Sequence, residues 1–120
     1  MVSILKKIEE RIIMQKIIDY VRQIDPNFMS NHHWYAGISN DPDRRKSEHE
    51  RQKGIICEHF KFWKCTNEEV ARKVEKKLEE YGFSIYSDDL KPVKMAALLQ
   101  ESFSNKTESN FVYVYKAAQR

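Results

Sequence analysis

Trp34-Tyr35-Ala36-Gly37-Ile38-Ser39-Asn40-Asp41-Pro42-Asp43-Arg44-Arg45-Lys46-Ser47-Glu48-His49 reads as a short strand, a tight turn and a basic helix. Alternation along a strand sends Tyr35 and Gly37 to one side and Ile38 to the other. Gly37 lacks a side chain and leaves space beside Tyr35 for a phosphate or another backbone. Asn40 or Asp41 caps the helix that follows, and Pro42 suits its first position. On that helix Arg45 and His49 stand four residues apart and share a face, with Arg44, Glu48 and Arg51 on a neighbouring one. A phenol, a guanidinium and an imidazole are thereby gathered into one small volume. The guanidinium can fork onto phosphate oxygens, and His49 or Tyr35 can take a proton from water.

Outward from this stretch, residues 3–24 have the apolar recurrence of a helix, with Ile4, Leu5, Ile8, Ile12, Ile17, Val21 and Ile24 near helical spacing. Asp25-Pro26-Asn27 ends it. So broad an apolar face needs a partner, either the domain's own sheet or a second copy of the chain. The strand at 32–39 and the helix to about Gln52 come next, the helix closed by Lys53-Gly54. Residues 55–65 read as a second strand rich in aromatics. Thr66 and Glu69 have capping-box spacing at the head of a helix that runs to Tyr81 and stops at Gly82. Lys91-Pro92 opens a short predicted helix to Gln100, and 102–110 is polar and loop-like. Phe111-Val112-Tyr113-Val114-Tyr115 is a final strand. The expected architecture is one α+β domain over 1–120. A small three-stranded sheet, antiparallel or mixed, is flanked by helices; residues 1–26 are an extra N-terminal helical extension and 32–116 the core.

With 120 residues, 41% hydrophobic and 32% charged, the chain can bury a core without disulfides or a structural metal. No apolar run approaches the roughly 20 residues of a membrane span, and charges interrupt the N-terminus where a signal peptide would be apolar. The expectation is a cytoplasmic protein with no membrane association. A net charge of +3 permits nucleic-acid binding without demanding it. The positive charge is concentrated at 44–53, where Arg44, Lys46, Arg51 and Lys53 are candidate phosphate contacts, and again at 72–77. Cys57 and Cys65 flank one strand at a spacing that makes a poor zinc site, so two free thiols are expected.

Tyr35-Ala36-Gly37, the eight-residue step from Gly37 to Arg45, and His49 one turn on resemble the second half of the GIY-YIG endonuclease signature. Ala71-Arg72-Lys73-Val74-Glu75 is similar to the Ala-x-x-x-Glu of that family's metal-binding helix. The resemblance covers residues 33–79 and, loosely, the last strand. It implies a catalytic role for Tyr35, Arg45 and His49, and Glu75 as ligand of Mg²⁺ or Mn²⁺; a single carboxylate completed by waters and phosphate oxygens suits such a hard cation. The family's opening Gly-Ile-Tyr strand is absent before Tyr35, Ile38 replaces a polar residue, and the late asparagine has only Asn105 and Asn110 as candidates. The strand 111–116 could supply the missing one in permuted order, placing Tyr113 or Tyr115 where the first motif's tyrosine stands. The expected function is a metal-dependent DNA endonuclease of bacterial or phage type. Its alternative is a degraded module of the same fold that binds nucleic acid, a nucleotide or a protein partner. A third expectation is homodimerisation through the helix at 3–24.

Overall fold

The computed structural model describes residues 2–27, 33–85 and 109–119, and the predicted helix at 91–100 lies outside them. The elements run α1 (Val2–Ile24), β1 (Trp34–Ser39), α2 (Pro42–Lys53), β2 (Ile55–Lys64), α3 (Glu68–Tyr81) and β3 (Phe111–Gln119). The three strands form one antiparallel sheet in the order β1-β3-β2, an α+β fold in which the last strand is central. Tyr35 stands opposite Tyr115 and Gly37 opposite Tyr113. The outer edge of β1 is closed by Ser84, whose carbonyl accepts from the Ala36 N–H and whose N–H donates to the Trp34 carbonyl.

Alternation gives the sheet two faces with separate cores. Trp34, Ala36, Val112 and Val114 face α1 and α3, and pack with Ile13, Ile17, Val21, Val70, Val74 and Leu78. Tyr35, Tyr113, Tyr115 and Cys57 point the other way, toward α2. Ile38 joins the first set, as the alternation requires.

Local capping chemistry fixes the helix ends. Asp41, not Asn40, caps α2 through a bond from the Arg44 N–H, Pro42 follows it, and Gly54 ends the helix at φ 63. At α3 the structure departs from the capping box expected of Thr66. Asn67 is the cap, its side chain accepting from the Val70 N–H. The Thr66 hydroxyl instead donates to Glu9 of α1, 2.9 Å away, a long-range contact that no local spacing could announce.

Among the described residues only part of the α1 apolar face is covered. Ile13, Ile17, Ile18 and Val21 are buried against α3 and the sheet, and Glu10 is buried in the same seam with Lys77 at 3.0 Å. Asp25 pins the far end of the helix by accepting from the Trp34 indole and the Lys116 ammonium. Near the start of the helix Ile4 and Leu5 are 60% and 67% exposed, and Ile8 and Ile12 are also exposed. No helix among the described residues is long and apolar enough to cross a membrane.

Candidate active site

The turn after β1 carries α2 across the sheet face that bears Tyr35, Tyr113 and Tyr115. Arg45 and His49 share the inner side of that helix, and both reach Tyr113. His49 Nε2 lies 2.8 Å from the Tyr113 hydroxyl oxygen, and the Arg45 guanidinium is near enough for its charge to act on the same phenol. Guanidinium nitrogens only donate. A cation beside the phenol favours electron density on the side of the oxygen that faces Arg45, so its O–H is aimed at a neutral His49. That assignment puts the imidazole proton on Nδ1. Arg45 is also held by Glu48, whose Oε1 is 3.0 Å from Nη1.

Gly37 does not leave an open space for phosphate, as the sequence suggested. The gap is filled by Tyr113, its cross-strand neighbour: a Cβ at position 37 would overlap the phenol oxygen and Cζ. Tyr113 is further fixed by Phe60, stacked on it at a centroid distance of 5.3 Å. Tyr35 stacks on Tyr115 at 5.4 Å, and His49 lies 5.4 Å from the Tyr115 ring. All three tyrosines proposed from sequence thus share one face, with Tyr113 at its chemical centre. His49 and Tyr113 are 2% and 3% exposed. Arg45 and Tyr35 are half-buried and form the accessible side of the cluster.

Burial sets the protonation states. It pushes His49 down to about 4, with the charges of Arg45 and Lys53 adding to the fall. It pushes Tyr113 up to about 12; Arg45 opposes that rise, while Glu75 and Cys57 add to it. Burial also works against the Arg45 charge, but Tyr113 and Glu48 together hold its pKa above the ordinary value. At neutral pH the cluster is a guanidinium cation, a neutral phenol and a neutral imidazole. The Glu75 carboxylate, on the half-buried side of α3, is near enough for its charge to act on Tyr113. Of the sequence-proposed metal ligand and catalytic residues, Glu75 is the one brought in from the opposite sheet face.

The depressed His49 makes stability pH-dependent. Between 6.5 and about 4 the unfolded chain binds a proton that the folded chain refuses. Stability therefore rises with pH through that window and falls as acid is added, by about 3 kcal/mol at most. Urea unfolding across this interval should show the loss, and His49→Gln should flatten it. Equal acid sensitivity in both proteins would contradict the assignment.

The basic residues of α2 divide. Lys53 lies close enough to lower His49, and Lys46 to act on Cys57. Arg44 is exposed and tied to Asn40 and Glu48, and Arg51 is exposed. Cys57 and Cys65 are buried free thiols in the two separate cores, each pushed up to about 11 by burial. Among the described residues no three His, Cys, Asp or Glu side chains group as a ready-made metal cage. An open cleft of about 600 Å³ between α1 and α3 is lined by Arg11, Met14, Ile18, Arg22, Lys77 and Tyr81. It is on the other face of the sheet and touches none of the cluster, so chemistry, not concavity, locates the site.

Sequence reasoning missed Glu48 as the Arg45 partner, and it missed Phe60. The signal for Glu48 was present in its three-residue spacing from Arg45. The signal for Phe60 was not, because β2 is bulged: Glu58 pairs with Lys116 but Lys61 with Val114, and His59 takes φ 55. One extra residue reverses the alternation. Cys57 before the bulge and Phe60 after it therefore face the same way.

The fold and site define an α+β protein with a guanidinium–phenol–imidazole cluster on a three-stranded antiparallel sheet. Comparison with models of known protein families, with curated proteins and with solved structures finds no match in any of the three.

Proposed function

We propose that the protein is a GIY-YIG-like, metal-dependent endonuclease that hydrolyses DNA phosphodiester bonds in the cytoplasm. The observation that carries this reading is the gathering of His49, bonded to the Tyr113 hydroxyl, and the Arg45 cation around one phenol on the face that also bears Tyr35. The pairing of β3 with β1 supports the permuted order, with Tyr113 in the role of the first motif's tyrosine and Tyr35 in that of the second. Arg45 grips a phosphate oxygen and stabilises the charge that develops on it as water attacks. Tyr113 takes a proton from that water while passing its own to His49 Nε2. A phosphodiester anion seated at Arg45 offsets the cationic influences that depress His49, and so makes it a better base in the complex. The Tyr113 O–H, raised by burial, acts as a relay and not as a standing phenolate. Glu75 is the residue that would hold Mg²⁺ or Mn²⁺; its oxygen is a hard donor beside the cluster, and the bound ion would supply Lewis-acid stabilisation of the phosphate. Lys46, Arg44, Arg51 and Lys53 supply backbone contacts along α2.

A second reading, a binding module of the same fold that does not cut, is favoured by the burial of His49 and Tyr113. Supercoiled plasmid and branched DNA, incubated with Mg²⁺ or Mn²⁺, separate the two. The endonuclease predicts nicking that needs the metal and disappears in both Glu75→Ala and Arg45→Ala. Intact DNA with folded native protein would leave the binding module. For a protein partner, the exposed stripe Ile4, Leu5, Ile8 and Ile12 fits a second copy of the chain. Mass in solution should then be that of a dimer, and Leu5→Glu should return a monomer; a monomeric native chain would exclude it.

A further inference from the structure

The bulge that brings Phe60 to Tyr113 also turns Phe62 and Lys64 to the site face. Phe62 pairs directly with Tyr113, and Lys64 with Phe111. Cross-strand partners share a face and have Cβ atoms about 5 Å apart. Phe111, Tyr113, Phe62 and Lys64 thus form a continuous corner of the sheet beside the Arg45 cluster. Along that corner Phe62 is 40% exposed, whereas Tyr113 and Tyr115 on the same face are buried. Phe111 meets the Phe62 ring edge-on, with centroids 5.5 Å apart and planes at 85°, which braces it. Lys64 is exposed at the rim.

We propose that Phe62, braced by Phe111, is a stacking shelf for an unpaired nucleobase adjoining the phosphodiester gripped at Arg45. The proposal rests on the endonuclease reading and names its substrate class: DNA with unpaired nucleotides, such as single strands, flaps or branch points. A flat ring next to a cationic phosphate grip is the pairing that single-strand binders use, since every base offers a π-face. A base within an intact duplex is already stacked on its neighbours and cannot lie on a side wall without being extruded. Lys64 is placed to meet the next phosphate along the strand, as its exposed ammonium and its position opposite Phe111 allow. The geometry commits the corner to the nucleotide beside the scissile bond, because Phe62 is the direct neighbour of Tyr113.

The test is binding of the full chain, without divalent metal, to a fluorescent oligothymidylate and to a duplex of equal length. Native protein should prefer the single strand. Phe62→Leu, which keeps apolar bulk but not the ring, should weaken single-strand binding roughly tenfold, the scale of one lost base stack, with duplex binding and melting temperature unchanged. Phe62→Trp should retain the preference. Single-strand binding by Phe62→Leu equal to native, or a native protein indifferent to strandedness, would overturn the shelf. Metal-dependent cutting that persists with either result would leave the endonuclease standing. Failure to bind or cut any DNA would remove both.

Discussion

Arg45→Ala is expected to lower metal-dependent nicking by about 10²–10³-fold, the scale found when one preorganised donor to a developing oxyanion is removed. Arg45 is the group best placed for such an effect. Its charge is held by Glu48 on one side and by the Tyr113 oxygen on the other, so its fork is oriented before substrate arrives. The substitution also breaks the part-buried bond to Glu48, which costs about 1–3 kcal/mol of stability. Loss of activity must therefore be compared with the melting temperature. Arg45→Lys separates the two contributions, because it restores a cation but not the planar fork. An intermediate rate for lysine with near-native stability would support a phosphate-gripping role. Equal nicking in native, Lys and Ala forms would show that Arg45 is only a brace for the tyrosine.

Gly37→Ala should destabilise the protein by about 1–3 kcal/mol, the range for inserting a methyl into a filled interior. The added carbon falls on the Tyr113 side chain, with its Cε2 at 3.0 Å and its Cζ and hydroxyl oxygen overlapped. The ring has nowhere to go. Phe60 is stacked on it and His49 is bonded to its hydroxyl. Any shift that admits the methyl breaks the bond to His49 and moves the phenol relative to Arg45, so activity should fall with stability. The cycle with Tyr113→Phe is the informative measurement. Phenylalanine removes the phenol oxygen, one of the overlapped atoms, so the double variant should be more stable than the sum of the two single losses. Strict additivity by urea unfolding would mean that the two residues do not compete for this space.

Local pattern carried a good deal of this molecule. The 3.6-residue period placed Arg45 and His49 on one helix face, the two-residue period put Tyr35 and Gly37 on one strand face with Ile38 opposite, and Asn40 or Asp41, with Pro42 and Gly54, marked the ends of α2. These are consequences of backbone geometry within a few residues. The residues that needed the folded chain are those whose partners lie far away. Thr66 has the spacing of a cap, yet Glu9 claims its hydroxyl and Asn67 takes the position. The α1 stripe reads as continuous, but α3 and the sheet cover it only from the middle onward.

By itself, then, the sequence determined the described helices and strands, the α+β class and the two faces of the first strand and its helix, because periodicity and capping act over a turn or a pleat. Tertiary structure decided that the last strand lies between the other two and that Tyr113 occupies the gap at Gly37. It also decided that a bulge at His59 turns Phe60 and Phe62 onto the site face. Strand order and register are set by which distant surfaces bury each other, and one extra residue in a strand reverses every side chain beyond it.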